Sequence, residues 1–166
     1  MLELNNVLQN EGEKTVFARV VARSPSAWNR VFLIDKGSQH GIKVNSAVFS
    51  NSSLVGKILE VGASASKVLL ITDPNSRIGG LIQRTRDQGI VYGAFTGECR
   101  MKYLSVDADI VPGDIVESAG YGGFFPKAAP IGKVAKVWKE PGQIYKVAEI
   151  TPLTDLNRIE EVACLE

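Results

Sequence analysis

From Thr15 onward the chain is a succession of short β-type runs. They are TVFARVVAR (15–23), RVFLID (30–35), AVFS (47–50), LVGKILEV (54–61), KVLLITD (67–73), IGGLIQR (78–84), GIVYGAF (89–95), CRMKYLSV (99–106), DIVESA (114–119), IGKVAKVW (131–138), YKVAEIT (145–151) and EEVACLE (160–166). Each is rich in Val, Ile, Phe or Tyr, and turn residues such as Gly, Pro, Asn and Ser separate them. The runs recur about every 8–12 residues, a spacing that suits antiparallel barrels or sandwiches and not βαβ units. Within this region only LTDLNRIEE (153–161) could hold a helical turn.

A weak repeat divides the chain. GIKVNSAVF (41–49) resembles DIVPGDIVE (109–117), LVGKILEV (54–61) resembles PIGKVAKV (130–137), and KVLLITDP (67–74) resembles KVAEITPL (146–153). The order is kept while the offset grows from 68 to 76 to 79 residues. This predicts an all-β fold of two consecutive small antiparallel β-barrels of about six strands each, over 15–75 and 76–166. The boundary falls near TDPNSR (72–77), where Pro74 and Asn75 break the strand. A strand that crosses between the two units would escape this reading. Residues 1–14 carry Leu4 and Leu8 at helical spacing before Gly12. They read as a frayed helix or as the C-terminal end of a coiled coil. The shared Gly-Lys pairs at Gly56 and Gly132 mark a bulge or a close backbone approach, since a phosphate loop needs a Gly-rich turn before and Ser/Thr after.

Composition narrows the function. Charged residues make up 22% of the chain and nearly cancel at net +1, which gives no electrostatic reason to propose nucleic acid as a partner. No apolar run reaches the roughly 18 residues of a membrane span, and no signal peptide is recognisable. Cys99 and Cys164 lie far apart in sequence and away from His40, the one histidine, so no metal site is expected. A disulfide is compatible with the sequence but not implied; as single cysteines they read as small apolar residues.

Two β-barrels invite comparison with chymotrypsin-like serine hydrolases. In those, the nucleophile sits in a Gly-Asp-Ser-Gly turn. Here VPGDIVESAG offers Gly113 and Asp114, but Ile115 stands in the nucleophile's place, and Ser118 lies in a strand-like run. In DKGSQHGI (35–42), Ser38 and His40 are only two residues apart, and glycines 37 and 41 bracket a turn. Asp107 and Asp109 would share a strand face, with no third acidic partner. No catalytic residues are therefore assigned and no cofactor is expected; a divergent two-barrel serine hydrolase is the alternative.

Function is then expected in surfaces. GYGGFFPKAAP (120–130) places Tyr121, Phe124 and Phe125 in a Gly- and Pro-flanked loop, either as partner anchors or folded back as a barrel plug. A turn over 140–143 would set Trp138 opposite Tyr145 as a cross-strand pair. These five aromatics are the candidate partner-binding residues. Trp28 reads as a core or turn-packing residue. A carbohydrate-binding role is a third class that exposed aromatics allow. An open barrel rim would also offer an edge for dimers or filaments.

Several strings occurring in order carry a family resemblance. VVARSPSAWNRVFLIDKGSQHGIKVNSAV (20–48), LVGKILEV with SKVLLITDPNSRI (54–78) and VPGDIVESAGYGGFFPKAAPIGKV (111–134) resemble the extracytoplasmic part of the bacterial rod-shape-determining MreC family. The resemblance implies a non-enzymatic scaffold of the cell-wall elongation machinery, with two barrels similar in shape to chymotrypsin-like proteases and no catalytic triad. The implied partners are a penicillin-binding transpeptidase, MreD and MreB-linked proteins, with self-assembly as a homodimer or larger. The implied location is the periplasmic, extracytoplasmic face of the inner membrane, with a membrane helix preceding this sequence and residues 1–14 ending a coiled coil.

Overall fold

Strand alternation in the sequence translates directly into buried and exposed faces. The computed structural model describes residues 15–24, 30–94, 97–120 and 125–165. Among these lie twelve strands: β1 (Thr15–Arg23), β2 (Val31–Ile34), β3 (Ala47–Ser50), β4 (Ser53–Val61), β5 (Ser66–Leu70), β6 (Arg77–Ile82), β7 (Gln88–Gly93), β8 (Cys99–Ser105), β9 (Ile115–Ser118), β10 (Pro130–Lys139), β11 (Tyr145–Pro152) and β12 (Glu161–Leu165). All neighbouring strands pair antiparallel. In β2, Phe32 and Ile34 point inward while Val31 and Leu33 are half-buried. The segment 153–160 holds bends and turns but no helical turn, and residues 1–14 and Trp28 lie outside the described residues.

The chain forms two compact units. The first closes as β1-β12-β3-β4-β5-β2 and buries Phe32, Ile34, Phe49, Leu54, Ile58 and Val68. The second, Ile71–Leu153, closes as β10-β11-β8-β7-β6-β9 around Ile78, Ile82, Met101, Leu104, Ile131 and Ile150. Ring closure removes the open rim expected from the sequence. β10 nevertheless runs past Lys133 with β11 as its one ladder partner.

One expectation is corrected. The second barrel does not extend to residue 166, because β12 returns to the first. Thr15 pairs with Leu165 and Arg19 with Glu161 on one side of it, and Phe49 with Ala163 on the other. The return segment is pinned by polar bonds. The Arg23 guanidinium donates to the carbonyls of Leu156 and Ile159, and the Thr154 hydroxyl donates to the Ser50 carbonyl at 3.1 Å.

The physical reason is a shifted repeat. Matching β3, β4 and β5 to β9, β10 and β11 extends to β1 with β7, β2 with β8, and β12 with β6, and the two rings then have the same cyclic order. The second barrel takes its closing strand from the start of its segment, the first from the end of the chain. The repeated glycines occupy equivalent places. A Cβ on Gly56 would lie 2.2 Å from the Leu69 carbonyl oxygen, and one on Gly132 would lie 2.4 Å from that of Thr151. Both positions need the close approach that glycine alone allows, and each sits beside a register shift.

Candidate partner-binding face of the second barrel

The outer face of β7, β8 and β11 carries three tyrosines. In β7, Val91 points into the barrel, which turns Tyr92 outward. In β8 the alternation starts with Cys99 and Met101 inward and Arg100 outward, then breaks: Lys102 and Tyr103 are both exposed before Leu104 returns to the core. The break is a β-bulge against β11, with the register shifting between Lys146 and Ala148. Tyr103 adopts the left-handed backbone region, φ 66°, unusual for a bulky side chain. In β11, Tyr145 pairs with Ser105 and faces the same side.

The rings meet edge to face. Tyr92 and Tyr103 have centroids 6.4 Å apart at 66°, and Tyr103 and Tyr145 are 5.6 Å apart at 86°. These are favoured aromatic geometries. Tyr103 is 50% and Tyr145 40% exposed, so the cluster faces solvent. Two cations flank its inner member: the Arg77 guanidinium lies 5.4 Å and the Lys102 ammonium 5.1 Å from the Tyr92 ring centroid. Burial, then the neighbouring Tyr103, holds the Tyr92 phenol above its usual range.

One strand further, Arg100 sits 5.7 Å from the Trp138 ring, and the Trp138 indole N–H points to Glu140 at 3.5 Å. Glu149 pairs across the sheet with Arg100 on one side and Lys136 on the other. Hydrogen bonding to Glu149, followed by burial, raises the Glu98 carboxyl above the usual range, and Lys136 and Arg100 oppose that shift.

The sequence-predicted residues fare unequally. Trp138 is opposite Val147, not Tyr145, because the ladder closes at Lys139 and Lys146, so the connection spans 140–145 instead of the four residues expected. Tyr145 instead joins Tyr103 and Tyr92, which the sequence reading passed over. Counting by twos from Cys99 puts Tyr103 in the core; the exposed pair Lys102–Tyr103 is created by the bulge. Phe125 is half-buried, and Tyr121 and Phe124 lie outside the described residues.

The residues considered for catalysis have local partners. His40 ends a single 3-10 turn, Ser38–His40, and its Nδ1 accepts the Gly37 N–H at 3.1 Å. Asp35 accepts the Arg19 N–H at 2.8 Å, which holds its carboxyl below the usual range. Ser118 is fully buried in the second barrel, where its hydroxyl donates to the Pro126 carbonyl and accepts the Ala129 N–H. Asp107 and Asp109 lie in the turn after β8 and not on a strand; Asp109 faces Arg84 at 3.7 Å. Cys99 and Cys164 are free thiols, and burial pushes both up to about 12. Among the described residues no cluster of three or more His, Cys, Asp or Glu could hold a metal ion, and no helix is long and apolar enough to cross a membrane.

Comparison with known proteins resolves the family. The pattern described as "Rod shape-determining protein MreC, barrel core" matches residues 20–166. The chain belongs to the MreC family. The cell shape-determining protein MreC of Bacillus subtilis is 32% identical over 172 residues, covering 95% of this chain and 59% of that protein. The chain thus spans about three fifths of the length of the MreC relatives it first matches. A crystal structure of MreC from Pseudomonas aeruginosa superposes with a TM-score of 0.86 at 29% identity, covering 93% of this chain and all of that one. MreC in a complex with the penicillin-binding protein PBP2 from Helicobacter pylori shares the fold at TM-score 0.70 and 16% identity, over 92% of this chain and 99% of that one.

Proposed function

We propose that this chain is the barrel region of a non-enzymatic scaffold that maintains rod cell shape. It works on the extracytoplasmic, periplasmic side of the inner membrane and organises peptidoglycan-synthesis proteins. Its partners are a penicillin-binding transpeptidase, MreD and MreB-linked proteins of the elongation machinery, and it self-associates as a homodimer or larger assembly. The observation that carries the reading is membership of the MreC family over residues 20–166. The Helicobacter pylori MreC, captured with PBP2, supports the choice of a transpeptidase.

Contacts are assigned to the five aromatic residues singled out from the sequence, Tyr121, Phe124, Phe125, Trp138 and Tyr145. Aromatic side chains on a rigid β scaffold supply large contact area at low entropic cost. The test is binding of the purified chain to a soluble transpeptidase ectodomain from the same organism by biolayer interferometry. Saturable binding is expected, weakened by Tyr121→Ala with Phe125→Ala and separately by Trp138→Ala with Tyr145→Ala. Unchanged binding in folded variants would remove these residues from the interface, and no binding by the wild type would remove the transpeptidase. A fluorophosphonate probe is expected to leave the chain unlabelled; labelling that disappears in Ser118→Ala would restore the hydrolase alternative.

A further inference from the structure

We infer that the Arg77–Tyr92–Lys102 corner of the second barrel, with Tyr103 and Tyr145 beside it, docks an acidic segment of a partner protein, one presenting Asp or Glu side chains to this sheet. The inference rests on the scaffold reading above and names the chemistry of its partner.

Charge is the first support. Arg77 and Lys102 are exposed and approach one ring, at 5.4 and 5.1 Å from the Tyr92 centroid. Among the described residues neither has a carboxylate within 4.0 Å, whereas in the same barrel Arg84 pairs with Asp114 and Asp109, and Arg86 with Glu117. The acidic groups on this sheet are already engaged. Glu98 and Glu149 interact with each other, and Arg100 and Lys136 act on them. That leaves two cations held in place by a ring, which reduces the ordering cost of meeting an anion.

Backbone shape is the second support. The bulge exposes Tyr103 in a left-handed conformation that only glycine adopts readily. Its half-exposed ring gains little from core packing, so the bulge between β8 and β11 holds it there, and residues held in this way cluster at functional sites. The bulge sets Tyr103 between Tyr92 and Tyr145, next to Lys102.

Apolar partners fit poorly, because they would strip water from Arg77 and Lys102 without supplying a counter-charge. Glycans fit less well than peptide, since interplanar angles of 66° and 86° leave no pair of parallel ring faces for a sugar to lie across.

The test uses the whole chain and a defined probe. Poly-L-glutamate is titrated at low salt against the wild type, Arg77→Glu with Lys102→Glu, and the control Lys43→Glu, an exposed lysine of the first barrel, with tyrosine and tryptophan fluorescence as the signal and circular dichroism as the check on folding. Expected are binding by the wild type and the control, binding about tenfold or more weaker in the double variant, and weakening with added salt. Equal binding by all three, or no wild-type binding, overturns the inference. So does binding of polygalacturonate, an anionic glycan, with poly-L-glutamate inert. The same variants are then measured against the transpeptidase ectodomain. If the wild type binds poly-L-glutamate through Arg77 and Lys102 but not the ectodomain, the acidic site stands and the choice of transpeptidase falls. If the ectodomain binds the double variant as well as the wild type and poly-L-glutamate does too, the site falls and the scaffold reading remains.

Discussion

Arg84 grips Asp114 at both carboxylate oxygens, with Nε 2.8 Å from Oδ1 and Nη2 3.0 Å from Oδ2. The same carboxylate accepts the Val111 N–H at 3.0 Å. A residue just beyond β6 is thereby tied to the turn that leads into β9, at one end of the second barrel. The Arg84 bond, aided by the Val111 N–H, holds the Asp114 carboxyl below its usual range, against the opposing effect of burial.

That depression fixes a pH dependence. A carboxyl whose folded-state pKa lies below its unfolded value stabilises the fold above the unfolded value, near 4, and loses that contribution as pH falls through the folded one. Asp114→Asn is expected to cost about 1 kcal/mol at pH 7, below the usual range for a charged hydrogen bond because water screens the half-exposed guanidinium. Urea melts of both proteins at pH 7 and pH 3 check this. The gap should shrink at pH 3; a constant gap would show that the ion pair is not its source.

The two equivalent glycines make a paired prediction. Gly56→Ala and Gly132→Ala each force a methyl against a neighbouring backbone carbonyl, at 2.2 and 2.4 Å before relaxation. Each is expected to destabilise by about 1–3 kcal/mol, the range for overpacked sites. Thermal melts should show both; a neutral substitution at either would break the equivalence of β4 and β10.

Much of this architecture was legible in the sequence. Two runs, TVFARVVAR and AVFS, coincide with β1 and β3, and the other ten end within a few residues of their strands. The family strings identified MreC without the fold. What stayed hidden depends on events between strands. Which barrel β12 joins is set by its partners Thr15 and Phe49, more than a hundred residues upstream. The bulge that moves Tyr103 outward is a one-residue insertion that period-two counting cannot register, and the longer connection over 140–145 sets Trp138 opposite Val147 in place of Tyr145.

The C-terminal return predicts a local consequence. Thr154 meets the Ser53 hydroxyl and the Ser50 carbonyl in a buried site. Thr154→Val leaves these groups short of a partner, at about 1–2 kcal/mol. Ending the chain after Leu153 goes further, because β1 and β3 then lose their shared neighbour. Hydrogen exchange should show amides of β1 and β3 losing protection. Protection retained there would mean that the first barrel closes without β12.

Thiol chemistry tests the burial of the cysteines. With both pushed up to about 12, almost no thiolate exists at pH 8. Cys99 also directs its thiol to the Ile71 carbonyl at 3.3 Å. A thiol-specific disulfide reagent should label neither cysteine in the folded chain and both in urea. Rapid labelling of one under native conditions would show local opening at that strand.

Tyr103 separates strain from contact. Its left-handed backbone disfavours any side chain relative to glycine, by roughly 1–2 kcal/mol. Tyr103→Gly relieves that cost and Tyr103→Ala does not, so the glycine variant should be the more stable of the two by about 1 kcal/mol in urea melts. Both remove the ring that links Tyr92 and Tyr145. If the ring contributes to docking, both bind poly-L-glutamate more weakly than the wild type and to a similar degree, with stability and binding moving independently. Binding that follows stability across the pair would assign Tyr103 to the fold alone, and full binding in the glycine variant would take its ring out of the docking face.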